Sequence, residues 1–296
     1  MKLTHKQAVL LMIACTMMWS IAGVVTRHLE QAKSFEVTFW RSFFTLVSLL
    51  VILPLFHGKS LLSKLKQGGL YIWVSGVCWS VMFTAFMTAL TMTSVANVLI
   101  TLSLGPMLTA LFARVFIGHK LPTRTIIAIV VAGLGIAYMY AAQINLRDMK
   151  QLAGMLVALG VPIAAAVNWT LVQHSQAQGH DVDLVPAVMV GALISSLVTF
   201  PLSMPFQATG HDVALLAMLG LVQLAIPCAL AVVCARYLKA PEVSLLALLE
   251  IIFGIALAWA GANEKPGLPV LLGGGLVLGA LAFNEWLGMR ERAKVE

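Results

Sequence analysis

The sequence predicts an all-α polytopic membrane protein with ten transmembrane helices. Three observations carry that reading. Ten apolar segments, each of bilayer length, take up most of the 296 residues. Hydrophobic residues make up 60% of the chain and charged ones only 10%, too few to solvate a globular surface. The runs are continuous rather than alternating, which excludes an outer-membrane barrel, whose strands need only about 10 residues of alternating polarity.

A helix rises about 1.5 Å per residue, so about 20 apolar residues cross the hydrocarbon core. On that measure the first five spans cover residues 7–27, 36–56, 69–90, 94–117 and 124–142. The second five cover 152–173, 184–204, 213–235, 242–262 and 268–288. Span one follows Lys2 and Lys6, as a signal peptide's apolar run would, but it is longer and lacks a small-residue cleavage site, so it reads as an uncleaved span. Span two carries Arg41 and span nine Glu250, the two charges well inside a span. Spans four, six and eight contain Gly105-Pro106, Pro162 and Pro227, where a missing backbone donor bends the helix. These are the candidate hinges, with static kinks as the other reading. Spans five and ten are marked by Gly133, Gly135, Gly273, Gly274, Gly275 and Gly279, which permit close helix contact in a scaffold or a homodimer.

The links are short, and neither Lys59–Gln67 nor Gln143–Gln151 could fold alone. Cys15, Cys78, Cys228 and Cys234 all fall inside spans without metal-type spacing, so they are assigned to packing, with no disulfide, metal or cofactor. The net charge of +7 is read as topology rather than as nucleic-acid binding. With a cytoplasmic N-terminus, Lys2, Lys6, Lys59, Lys64, Lys66, Arg114, Lys120, Arg124, Arg236, Lys239, Arg290, Arg292 and Lys294 face inside. Arg27, Lys33, Arg147, Lys150 and Lys265 face outside, so thirteen stand against five. That follows the positive-inside rule and places both termini in the cytoplasm of an inner, or plasma, membrane protein whose surroundings are lipid.

The chain divides near Leu146–Lys150 into a first repeat, 1–145, and a second, 146–296. Arg27-His28 is echoed by Gln173-His174, and Gly118-His119-Lys120 by Asn263-Glu264-Lys265. Five spans per copy is an odd number, so the second copy enters the membrane from the opposite side. That is an inverted repeat, the plan many secondary transporters use.

Certain residues add a family resemblance. They are Met18-Trp19-Ser20, Phe39-Trp40-Arg41-Ser42, Ala96-Asn97 and Leu104-Gly105-Pro106 in the first half. The second half adds Ala240-Pro241-Glu242-Val243, Leu248-Leu249-Glu250, Trp259 and Asn263-Glu264-Lys265-Pro266. With these the chain resembles the drug/metabolite transporter superfamily and, within it, the EamA-like exporters. The resemblance implies ten helices around a central cavity and export of amino acids or related metabolites. One departure is Gly118-His119, where the family usually has Gly-Glu.

Spans one, three, four, six and eight supply the cavity in that family. They place Trp19, Trp79, Asn97, Asn168, Trp169 and Gln223 as candidate substrate-binding residues, beside Arg41 and Glu250. Amides orient a ligand and indoles give it flat apolar walls; the alternative is that amides join helices and tryptophans mark interfaces. Arg41 could meet a substrate carboxylate or snorkel outward. Glu250 could carry a proton or hydrogen-bond a neighbouring helix. Arg27, Arg114 and Arg236 read as snorkelling at span ends. Arg41 with Glu250 suits a zwitterion, and lipophilic cations are the alternative cargo.

No GxxxxGK[ST] loop supports ATP hydrolysis within the chain. An intramembrane protease would need HExxH or a buried serine–histidine or aspartate pair, and neither occurs in the spans. A non-transporting membrane subunit would not need the polar set Asn97, Asn168, Gln223 and Glu250. The sequence therefore reads as a secondary transporter rather than an enzyme.

Overall fold

A computed structural model describes residues 3–57, 65, 68–117, 122–143, 149–177, 184–234, 237 and 240–292, and among these it is helical with no strand. Lys2, Lys59, Lys64, Lys66, His119, Lys120, Arg147, Arg236, Lys239 and Lys294 lie outside the described residues, as do the side chains of Pro106 and Trp169. The first half contains α1 (His5–Thr26), α2 (Ser34–His57), α3 (Gly69–Met92), α4 (Val95–Leu102), α5 (Gly105–Ile117) and α6 (Thr123–Gln143). The second contains α7 (Met149–Ala158), α8 (Gly160–Ala177), α9 (Val185–Thr199), α10 (Gly210–Met218), α11 (Ile226–Cys234), α12 (Ala240–Ala262) and α13 (Leu268–Arg292). Among the described residues seven stretches are long and apolar enough to cross a bilayer: His5–Thr26, Ser34–Pro54, Gly69–Met92, Val95–Phe112, Met149–Asn168, Gly210–Ala231 and Leu268–Gly288. The apolar helices Thr123–Met139, Val185–Thr199 and Leu249–Ala262 are shorter.

Local chemistry sets the helix ends. Thr4 and Gln7 form a reciprocal capping box at the start of α1, and Thr209 with Asp212 forms another at α10. The spans bearing Pro106, Pro162 and Pro227 are not continuous α-helices, whereas Pro54 lies inside α2. Proline cannot donate to the carbonyl four residues back. For Pro106 that residue is Leu102, where α4 ends. For Pro162 it is Ala158, where α7 ends. For Pro227 it is Gln223, which lies in a π-helical stretch, Leu219–Ala225, joining α10 to α11.

The two halves interlock rather than sit side by side. Helix α1 packs on α12, as α5 packs on α8. Helix α3 packs on α9, as α2 packs on the π stretch. Helix α3 also meets α7 and α8, as α1 meets the π stretch and α11. The pairs α2–α9, α6–α13 and α4–α12 each join matching elements of the two halves. Exchanging the halves leaves this pairing unchanged.

The α6–α13 pair is tight because it is built on glycine. A Cβ added to Gly273 would lie 2.6 Å from the Gly135 carbonyl oxygen. By contrast Gly133, Gly275 and Gly279 face open space. All four cysteines are free and buried.

Candidate functional site

The deepest polar cluster lies where the halves meet. Arg41, near the start of α2, is only 1% exposed. Its Nη1 donates to Gln223 Oε1 at 3.0 Å and its Nη2 to the Phe83 carbonyl at 3.1 Å. Its Nε is buried with no hydrogen-bond partner. The rings of Phe83 and Phe86 each lie 5.7 Å from the guanidinium carbon, within cation–π range. Arg41 therefore turns inward and does not snorkel to an interface.

Gln223 reaches Arg41 because the π stretch adds a residue to that turn. Such one-turn insertions redirect side chains and are common at functional sites. Its Nε2 also donates to the Trp19 carbonyl at 3.3 Å, so the amide is oriented by α1 and α2 together. One turn away, the Cys228 side chain hydrogen-bonds Trp19 and has Arg41, Cys15 and Glu250 as its ionisable neighbours. Glu250 is half-buried midway along α12, and its backbone carbonyl accepts from Ser20 Oγ at 3.0 Å. Among the described residues neither Arg41 nor Glu250 belongs to a salt bridge. Arg41 and Glu250, one from each half, are thus both neighbours of Cys228.

The other candidates separate. Trp79 is half-buried, 5.5 Å ring to ring from Phe83, and borders the cluster. Asn97 is fully buried at the start of α4, where its backbone N–H donates to the capping Ser94 Oγ and its Nδ2 donates to Thr93 Oγ1 at 3.0 Å. Asn168 accepts from Ser75 Oγ at 2.6 Å and so joins α8 to α3. A Ser75→Ala change leaves the Asn168 amide buried without that donor. It is expected to cost about 1–3 kcal/mol, read as a lower thermal midpoint of the detergent-solubilised protein; an unchanged midpoint would remove the pair from the stability account.

A second polar assembly closes the end of the bundle where α1 and α3 finish. Here the sequence reading needs correction, because Arg27 does not snorkel. Its Nε donates to Glu264 Oε2 at 2.7 Å, its Nη1 to the Leu90 carbonyl at 2.6 Å and its Nη2 to the Thr93 carbonyl at 2.7 Å. All three nitrogens find acceptors inside the protein, so solvent has no prior claim on them. Asn263, at φ 52°, takes the left-handed conformation that asparagine tolerates and turns the chain out of α12 toward Glu264. The second Glu264 oxygen accepts the Val95 N–H at 2.6 Å.

Sequence reasoning missed two further carboxylates at this end. Buried Asp212 accepts the backbone N–H groups of Glu30, Gln31 and Ala32 at 2.7, 3.0 and 2.9 Å. Glu36 accepts those of Gln207 and Ala208 at 3.0 and 2.8 Å. The Thr209–Asp212 capping signal was visible in the sequence. Its second task, holding the α1–α2 link from the other half, was not.

The family model described as the EamA-like transporter family matches twice, over residues 6–141 and 152–285. No curated protein sequence matches. Among solved structures 15 chains match. One of them, a crystal structure described only as that of a protein, is similar over 96% of this chain and 98% of its own, with a TM-score of 0.63 at 16% identity. That likeness shows a shared fold.

Proposed function

This chain belongs to the EamA-like transporter family, and from that premise we propose that it is a secondary carrier that exports amino acids or related small metabolites by alternating access. One observation carries the reading: buried Arg41 from one half and half-buried Glu250 from the other both neighbour Cys228, and among the described residues neither belongs to a salt bridge. Charges at membrane depth are costly and mark solute or ion pathways. The exchange pattern of helix contacts supports ten spans in two inverted repeats of five, 1–145 and 146–296, around a shared cavity. Thirteen inside charges against five support cytoplasmic termini in an inner membrane.

Alternating access needs an end that opens and elements that bend. The Arg27–Glu264 assembly ties the two halves at one end and is assigned as a gate. The breaks at Gly105-Pro106, Pro162 and Pro227 are assigned as hinges, each sited where the helical hydrogen-bond ladder is already interrupted. Trp19, Trp79 and Gln223 are assigned to the cargo site with Arg41 and Glu250, whereas Asn97 and Asn168 are tied to Thr93 and Ser75 and are assigned to helix packing.

Glu250 is the proposed proton carrier. Around it stand Cys228 and, beyond that thiol, Arg41 and Cys15. Counterflow in proteoliposomes under an imposed pH gradient tests this. Wild type is expected to speed or slow with the gradient, whereas Glu250→Gln, which keeps the shape and loses the titration, is expected to move solute at a rate independent of it. A pH response that survives the substitution would make Glu250 structural. Transport of lipophilic dyes without amino acids would redirect the cargo to cations.

A further inference from the structure

We propose that Arg41 is the receptor for a carboxylate of the transported solute, gripped at the Nε edge of the guanidinium between Phe83 and Phe86. This rests on the carrier reading and specifies what its central site recognises.

A guanidinium offers five N–H donors in a rigid planar fork. Here the partners named at Nη1 and Nη2, the Gln223 amide oxygen and the Phe83 carbonyl, are both neutral, and Nε has none. A buried cation is stable only with a counter-charge or a full set of acceptors. Arg41 has neither among the described residues. A merely structural link between α2, α3 and the π stretch would require no charge, because an amide could make the same two bonds. An interfacial arginine would point outward, and this one points in.

The missing group has a definite chemistry. It must be an anion, it must accept hydrogen bonds side by side, and it must fit beside two aromatic rings. A carboxylate matches the guanidinium fork in this way. The Phe83 and Phe86 rings lie 5.7 Å from the guanidinium carbon and Nε is buried, and such a low-dielectric setting strengthens a charge-assisted bond formed there. Because Nε is shut from solvent in this conformation, the anion enters as the rings part. Gln223 is a positioning residue. Held by the Trp19 carbonyl at its other end, it fixes the fork's plane from the second half of the chain. Glu250, unpaired across Cys228, faces the opposite pole of a zwitterionic solute.

The test uses the full chain in proteoliposomes, with leucine and phenylalanine each beside its methyl ester and its decarboxylated amine, plus a lipophilic cationic dye. Wild type is expected to favour the acids at least tenfold. Arg41→Gln is expected to erase that preference, and Arg41→Lys to restore part of it, since lysine returns the charge without the fork. Gln223→Leu is expected to raise KM for the acids roughly 10-fold, the low end of the worth of one charge-assisted bond, and so to lower the acid-to-ester preference. If Arg41→Gln does not fold, the Gln223→Leu ratio decides: an unaltered acid-to-ester preference overturns the proposal. Equal transport of acid, ester and amine by wild type, or transport of the dye alone, overturns the anchor and leaves the carrier standing. If well-folded wild type moves none of these solutes, the carrier reading itself falls, and the anchor with it.

Discussion

Arg27→Ala is expected to be among the most damaging single changes outside the central chamber, lowering stability by about 2–3 kcal/mol and releasing one end of the bundle. The sum has three parts. The Arg27–Glu264 pair is 2.7 Å long with side chains 27% and 21% exposed, between the surface pairs worth about 0–1 kcal/mol and the buried ones worth about 3–5 when broken. Two charge-assisted bonds to the Leu90 and Thr93 carbonyls go as well, partly replaced by water. Glu264 then keeps only its cap on Val95. Glu264→Gln is milder, because an amide oxygen can still accept from Arg27 and from Val95.

Spin labels at Gln31 and Lys265, both exposed and in links belonging to opposite halves, would report the result. A loss of about 1.4 kcal/mol shifts a two-state population tenfold, so a long-distance component should grow by that order in Arg27→Ala. Identical distance distributions in wild type and Arg27→Ala would remove the gate. A charge swap sharpens the test. Arg27→Glu combined with Glu264→Arg restores opposite charges but sets a carboxylate against two carbonyls, so it is expected not to rescue closure. A simple ion pair would be rescued.

The parts of this molecule legible in the sequence are those that short-range patterns encode. Helical class follows from run length and hydropathy, and the family from motifs such as Phe39-Trp40-Arg41-Ser42 and Asn263-Glu264-Lys265-Pro266. The break sites were legible too, since Pro106, Pro162 and Pro227 each remove one known hydrogen bond four residues back. That the third break takes π form, and so turns Gln223 onto Arg41, depends on packing against α1 and α2 and has no local signature.

Pairings between distant residues were not legible. Arg27 and Glu264 are 237 positions apart, and Ser75 and Asn168 are 93 apart. From the sequence Arg27 was simply a cation at a span end, where snorkelling is the ordinary outcome. Only the fold shows that the α3 carbonyls reach it first. Asp212 illustrates the same limit, because its capping role is local and its hold on Glu30–Ala32 is not.

Gly220→Ala is expected to do comparable damage from a single methyl group, because the approach of the π stretch to α2 leaves no room for it. The added Cβ would stand 2.7 Å from Phe44 Cβ, 2.8 Å from the Thr45 amide nitrogen and 2.9 Å from the Arg41 carbonyl oxygen. Two of those atoms are backbone locked into the α2 ladder, so relief requires the two elements to separate rather than a side chain to turn. Separation stretches the Thr45 hydroxyl bond to the Gly220 carbonyl, now 3.2 Å, and the Arg41–Gln223 bond less than a turn along, now 3.0 Å. Overpacking of this kind costs about 1–3 kcal/mol, and losing a bond to a buried charge adds about 1.5–3. Gly275→Ala is the matched control. It sits in helix α13 with nothing within 4 Å of the added carbon, and alanine's helix preference makes it neutral or stabilising by up to about 1 kcal/mol. Thermal unfolding of the two variants in the same detergent should therefore move in opposite directions, and transport by Gly220→Ala should fall at least tenfold. Were the two midpoints to coincide, the close approach that sets the Arg41–Gln223 geometry would be absent, and the carboxylate site would lose its frame.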